Sequence, residues 1–127
     1  MAIEYIRQTT TTNQAYFNKQ LLNAVNEIVN RVNINFVKIT TATYTIKVDD
    51  LLVGMNVSQA SAVTLPLNPP IGTNYIIKDI SGNASNNNIT VNAQSPNLIE
   101  GSGSTVINNN YGIRKLIYDG SSKWLNI

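Results

Sequence analysis

From Phe36 to Ile127 turn residues, mostly Gly, Pro, Asn and Ser, sit between nearly all of the apolar runs. What remains is a series of short β-prone runs: Phe36 to Thr40, Thr43 to Val48, Gly54 to Val57, Ala62 to Leu65, Asn74 to Ile80, Asn88 to Asn92, Thr105 to Asn108, Ile113 to Tyr118 and Lys123 to Ile127. Pro66, Pro69 and Pro70 break the chain before Tyr75. Ser81-Gly82-Asn83 and Asn86-Asn87-Asn88 make the next break, and Asp119-Gly120-Ser121-Ser122 separates a terminal hairpin. Many short strands at nearly even spacing predict a mainly β head over 36–127, a compact antiparallel sandwich or barrel. The order of its strands is not readable from the spacing.

A different period governs 14–35. Leu22, Val25, Val29, Val32 and Phe36 recur at spacings of three and four, with Ala15 one heptad before Leu22. That is the a/d seam of a coiled coil, and Leu21 and Ile28 widen it. Glu27 and Arg31 form an i,i+4 pair on the outer face, and Thr12 or Asn13 can cap the start. Asn23, Asn26, Asn30 and Asn33 repeat one position behind the seam, and Asn is a mediocre helix former, so the segment needs a partner to pack on. β-branched residues at both kinds of seam position favour three strands over two. The expectation is a helical trimeric stem, with Leu22, Val25, Ile28, Val29, Val32 and Phe36 as oligomerisation residues; packing of the helix on its own β head is the alternative.

Residues 1–13 form a short arm in which Ile3, Tyr5 and Ile6 precede the polar run Gln8 to Thr12. These apolar residues alternate enough to add as an edge strand to another protein, which makes them candidate attachment residues; the plain alternative is a frayed terminus.

The chemistry available to the chain is narrow. It has no Cys and no His, which removes disulfides, thiolate and imidazole catalysis and most zinc sites. A net charge of +2 comes from nine scattered Lys and Arg against seven carboxylates, and no basic stripe follows a run of phosphates, so nucleic acid is not an expected partner. No apolar stretch approaches the ~20 residues that span a bilayer, and no leader pattern opens the chain, so synthesis in a cytoplasm without membrane insertion is expected. The triplets at Asn56, Asn83 and Asn88 then read as accidents of Asn richness. Asp49 and Asp50 are adjacent, and neighbours in a strand face opposite ways, so they predict a turn rather than an acid/base pair. Asp79 and Asp119 sit beside turns, where a carboxylate accepts backbone N–H bonds. Gly101-Ser102-Gly103-Ser104 lacks the Lys-Ser or Lys-Thr of a phosphate loop and reads as a turn. No catalytic set, cofactor or metal site is expected. Among the aromatic residues, Tyr75 and Tyr111 are candidates for a ligand surface suited to sugars, whereas Trp124 and Tyr118, in the terminal hairpin, are expected in the core.

The order of the β motifs carries a resemblance. Val63-Thr64-Leu65-Pro66 is followed by Tyr75-Ile76-Ile77-Lys78-Asp79-Ile80-Ser81-Gly82-Asn83-Ala84, by Asn88-Ile89-Thr90-Val91, by Leu98-Ile99-Glu100-Gly101, and by Leu116-Ile117-Tyr118-Asp119-Gly120 with Trp124. This half of the chain resembles a β module of bacteriophage and other viral fibre and spike proteins, although Glu100 stands where an Asp is common. The resemblance implies a non-enzymatic virion protein, located on the particle: a homotrimeric head fibre, tail fibre or capsid decoration whose arm docks into a capsid or tail protein. A host-surface glycan is the implied ligand of a receptor-binding alternative.

Overall fold

The computed structural model describes residues 17–24 and 35–127. They belong to two units, Met1–Ile34 and Asn35–Ile127. In the first unit residues 17–24 form a helix, α1, within the span where the apolar spacing predicts one. Its large apolar side chains are open to solvent, Phe17 at 60 %, Leu21 at 52 % and Leu22 at 59 % exposure. Ile3, Tyr5 and Ile6 of the expected arm, and Val25, Ile28, Val29 and Val32 of the expected seam, lie outside the described residues. Among the described residues no helix is long and apolar enough to cross a membrane.

The second unit is built from ten strands: β1 (Phe36–Ile39), β2 (Thr43–Thr45), β3 (Leu52–Met55), β4 (Ser61–Thr64), β5 (Asn74–Asp79), β6 (Ile89–Asn92), β7 (Leu98–Ile99), β8 (Ser104–Ile107), β9 (Ile113–Tyr118) and β10 (Lys123–Asn126). One sheet has the order β1-β3-β5-β9-β10-β7 and the other β2-β4-β6-β8. Consecutive strands therefore alternate between sheets until the final hairpin. Each return to a sheet runs in the same direction as the strand before it, so β1, β3 and β5 pair in parallel, as do β2, β4 and β6. Parallel neighbours need a long crossover, and here each crossover contains a strand of the opposite sheet. In the first sheet Phe36, Leu52 and Ile76 stand on one rung; in the second Thr43, Ala62 and Thr90 do. The winding ends when β8 turns back antiparallel on β6, β9 antiparallel on β5, and β10 closes on β9 while running parallel to β7.

The head is thus mainly β, but its two sheets are mixed, which corrects the expected antiparallel pairing. The reason is physical: turn signals locate strand ends, and they do not tell whether the next strand pairs with its predecessor or crosses to a second sheet. Strand β7, only two residues long, carries no periodicity and was not among the expected strands.

Alternation supplies the core. In β5 the residues Tyr75, Ile77 and Asp79 are buried while their neighbours are half-buried, and β4 and β6 alternate likewise. Val53, Met55, Tyr75, Ile77, Leu116, Tyr118 and Trp124 of one sheet join Val63, Ile89, Val91 and Ile107 of the other in a single apolar cluster. Trp124 is its largest completely buried side chain, with ring centroids 5.8 Å from Tyr75 and 5.1 Å from Tyr118. On the outer side of the first sheet Phe36 lies in β1, and a Cβ at Gly54 on the adjacent strand would stand 2.8 Å from its ring. A larger residue there would make that ring shift.

Burying Trp124 removes a large apolar area from water, so Trp124→Ala should cost ~3–5 kcal/mol. Thermal melts should show a markedly lower Tm for the head, and wild-type fluorescence should be blue-shifted and poorly quenched by iodide. A red-shifted, readily quenched indole would contradict the packing.

Candidate functional site

Three places in the head gather polar side chains. The first is the turn after β5. Asp79 ends that strand facing inward, 1 % exposed, and its carboxylate accepts five hydrogen bonds. Oδ1 takes the Ser81 N–H at 3.0 Å, the Ser81 hydroxyl at 2.6 Å and the Gly82 N–H at 3.1 Å. Oδ2 takes the Ala84 N–H at 3.0 Å and, from the loop before β9, the Tyr111 N–H at 3.0 Å. Burial alone would push this carboxyl up, but the bonds from Ser81, Tyr111, Ala84 and Gly82 outweigh it and hold it below its ordinary value. Gly82 has φ 78°, and a Cβ there would meet the Tyr111 ring at 2.5 Å, so the Asp-x-Ser-Gly order is what this turn requires. Lys78 crosses the same corner, donating to the Tyr111 carbonyl at 2.7 Å.

The second place is the corner after β2. The Tyr44 hydroxyl and the Lys47 N–H both donate to Asp50, while the Tyr75 hydroxyl donates to the Val48 carbonyl at 3.2 Å. Burial first, and then the charges of Asp50 and Asp49, push both phenols up to about 12, so they stay protonated donors. Asp49 stands in the turn expected of it. Asp119 and Glu100 serve turns too: Asp119 accepts the N–H groups of Ser121 and Lys123, and Glu100 accepts that of Asn126. Gly101 and Gly120 take φ 85° and 83° in those turns. The Gly101-to-Ser104 segment closes tightly, with Ile99 and Ser102 exchanging N–H···O bonds of 2.6 and 2.9 Å.

The third place is a cleft of about 370 Å³ lined by Thr105, Ile113, Arg114, Lys115, Asn126 and Ile127. Beside it Asn126 of β10 stands opposite Leu116 of β9, and the Ile127 N–H reaches the Lys115 carbonyl at 2.8 Å. Arg114 fills part of the gap between the sheets. Its Nε donates to the Thr105 hydroxyl at 3.2 Å, one terminal nitrogen to the Ile113 carbonyl at 3.0 Å and the other to the Val106 carbonyl at 2.5 Å.

Of the two aromatic residues expected on a ligand surface, Tyr111 is 61 % exposed with φ 58°. Tyr75 is completely buried against Trp124, which removes it from any exposed face; the alternation that was read for β9 and β10 applies equally to β5 and puts it inside. Arg114 was not singled out. The signal that marks it is its phase, since it shares the inward face of β9 with Leu116 and Tyr118. Among the described residues no group of three or more His, Cys, Asp or Glu could hold a metal ion. The chain matches no protein-family model, and no curated protein matches it.

The depressed Asp79 carboxyl predicts an acid-labile head. The unfolded chain takes up this proton near the ordinary value of 3.8 and the folded chain only at lower pH. Stability is therefore complete above that value and falls as pH drops through it toward the folded pKa. Asp79→Asn should lower stability at neutral pH by about 1.5–3 kcal/mol, because bonds to a charged acceptor are lost. Denaturant melts from pH 7 to pH 3 should also show a shallower acid slope for the variant than for the wild type.

Proposed function

We propose that this chain is a non-enzymatic structural protein of a virus particle, a trimeric fibre, spike or capsid-decoration subunit that holds on by its N-terminal arm and displays the β head. The observation that carries the reading is where the fibre-like motifs fall. Asp79 closes β5 at its turn, Gly82, Glu100, Gly101, Asp119 and Gly120 lie in turns, and the three carboxylates accept backbone N–H groups: those of Asp79 and Asp119 from their own turns, that of Glu100 from Asn126 in β10. The residues that carry the resemblance thus serve architecture, as a displayed module requires, and the chemistry they could have offered is used in folding. The two sheets, sharing one core, act in this reading as a sandwich-like or barrel-like head.

Exposed Phe17, Leu21 and Leu22 on α1 support self-association, since a helix with such a stripe gains by burying it against its own kind. The seam of Leu22, Val25, Val29 and Val32 would form the axis of a three-helix stem. Ile3, Tyr5 and Ile6 would dock into a capsid or tail protein. Recognition of a host-surface glycan is the alternative, favoured by the exposed ring of Tyr111.

Light scattering coupled to size exclusion should return three times the chain mass of 13.9 kDa at micromolar concentration. Leu22→Asp should reduce that to a monomer, because three like charges would meet in an apolar seam. A wild type that is stably monomeric would overturn the stem. Deleting Met1 to Thr10 should leave the Trp124 emission spectrum unchanged while copies on purified particles drop sharply. Undiminished occupancy would assign attachment to the head or the helix instead.

A further inference from the structure

The two sheets of the head differ in what they turn away from the core. In the second sheet the rung of Thr45, Thr64, Asn92 and Ser104 faces outward, polar and uncharged. In the first sheet alternation puts Val53, Tyr75, Ile77, Leu116 and Trp124 inside, so that Leu52, Ile76, Ile117 and Leu125 face outward. Register joins these into one band. Phe36, Leu52 and Ile76 share a rung across β1, β3 and β5, and Ile117 and Leu125 continue it two residues further along on β9 and β10. Phe36 is 50 % exposed and the other four are half-buried. The outer face of a sheet is ordinarily polar, as that of the second sheet is, and an apolar band across five strands marks an interaction surface.

Charge selects the partner. Lys38 and Lys78 stand on the adjoining rung, on either side of Gly54, and Lys123 stands two residues from Leu125 on the same face of β10. Lys78 donates to the Tyr111 carbonyl, while Lys38 and Lys123 are exposed and have no carboxylate partner among the described residues. The strands of this sheet contain one acidic residue, Asp79, and it faces inward. A second copy of the same face would set lysine against lysine. Residues 1–34, with Arg7, Lys19 and Arg31 against Glu4 and Glu27, hold no excess of acid either. The complement is a different protein of opposite sign.

The backbone selects its form. Strands β3, β5 and β9 are paired on both sides, so an extended segment laid on the face would find no backbone partners and would bury its own N–H and C=O groups unpaired. A helix satisfies its backbone internally and brings only side chains to the contact. Four strand spacings of ~4.8 Å separate β1 from β10, about 19 Å in all, which ~13 residues of helix cover.

We infer that this outer face docks an acidic amphipathic helix of another protein, with the apolar stripe of the helix on Leu52, Ile76, Ile117 and Leu125 and its carboxylates against Lys38, Lys78 and Lys123. The docking needs the head alone, so it is decided separately from the virion reading: a head that binds no such helix leaves trimer mass and particle incorporation untouched, and the reverse holds as well.

NMR titration of the ¹⁵N-labelled full chain tests it with three probes: a peptide helix of about 14 residues whose Leu stripe is flanked by Glu, the same peptide with Lys in place of Glu, and phosphatidylglycerol vesicles. The Glu peptide should shift the amides of Leu52, Ile76, Ile117 and Leu125 saturably, and the Lys peptide should bind at least about tenfold more weakly. Lys38→Gln combined with Lys123→Gln should weaken the Glu peptide about threefold or more without moving the melting temperature, since exposed charges contribute little to folding. Ile76→Thr, which keeps the branched shape and removes apolar surface, should weaken it too. Thr64→Ser, on the outer face of the second sheet, should change nothing. Equal affinity for the two peptides, or no saturable shift with the Glu peptide up to about 1 mM, would overturn the assignment. Vesicles that shift the same amides more strongly than the Glu peptide would give the face to lipid instead. Amides of Leu52, Ile76 and Ile117 that already move in Leu22→Asp would give it to this chain's own helix or to a second copy.

Discussion

Five donors converge on the Asp79 carboxylate, and they come from two loops that are far apart in sequence. A buried charge without a counter-ion is tolerable only when hydrogen bonds replace its water shell. Here Ser81, Gly82 and Ala84 do so from the loop that carries the chain across to the second sheet, and Tyr111 does so from the loop that returns to start β9. One side chain therefore fixes how β5 ends, how β6 is reached and where β9 begins. Those three strands form the centre of the head, because β5 is the strand on which parallel winding meets antiparallel closure.

Arg114 is the counterpart of Asp79 on the next strand. Ile77 pairs with Arg114, so the two charges project inward from neighbouring strands, separated by a buried isoleucine. They do not use each other. Asp79 turns toward the loops, and Arg114 reaches across to Thr105 and Val106 on the second sheet. The difference between them is saturation. The carboxylate has its acceptor capacity filled by five donors, whereas the guanidinium spends three of its five N–H groups on neutral acceptors. Two charges of opposite sign on adjacent strands are in this way both bound into the fold by neutral partners.

Strand positions were legible because short apolar runs bounded by Pro, Gly and Asn have few other outcomes: Ile113 to Tyr118 was placed to the residue, and most others to within two. The turn roles of Asp79 and Asp119 were legible for the same reason, since a carboxylate next to Ser-Gly or Gly-Ser has backbone donors within reach. Pairing was not legible. Whether Phe36 meets Tyr44 or Leu52 depends on which sheet the intervening strand joins, and nothing local to either strand encodes it. Tyr75 was misjudged because an aromatic face with an Asn neighbour suits a sugar, while the period-two pattern of β5 fixes it inside. The cleft was invisible because its lining comes together from β8, β9 and β10 and not from one motif.

The rungs of the two sheets have a consequence for how such a head can change over generations. Along the first sheet, equivalent positions are 16 and then 24 residues apart (36 to 52, 52 to 76); along the second, 19 and then 28 (43 to 62, 62 to 90). The circuits are geometrically equivalent yet unequal in length, and the surplus lies in corners such as 66–73 and 80–88. Lengthening a flexible corner costs little, about 0.6 kcal/mol per doubling, whereas slipping a rung by one residue would turn every core side chain outward. Insertions and deletions are therefore filtered by location: the corners absorb them and the rungs reject them. Such a molecule repeats its rungs in space at intervals that its sequence does not keep constant.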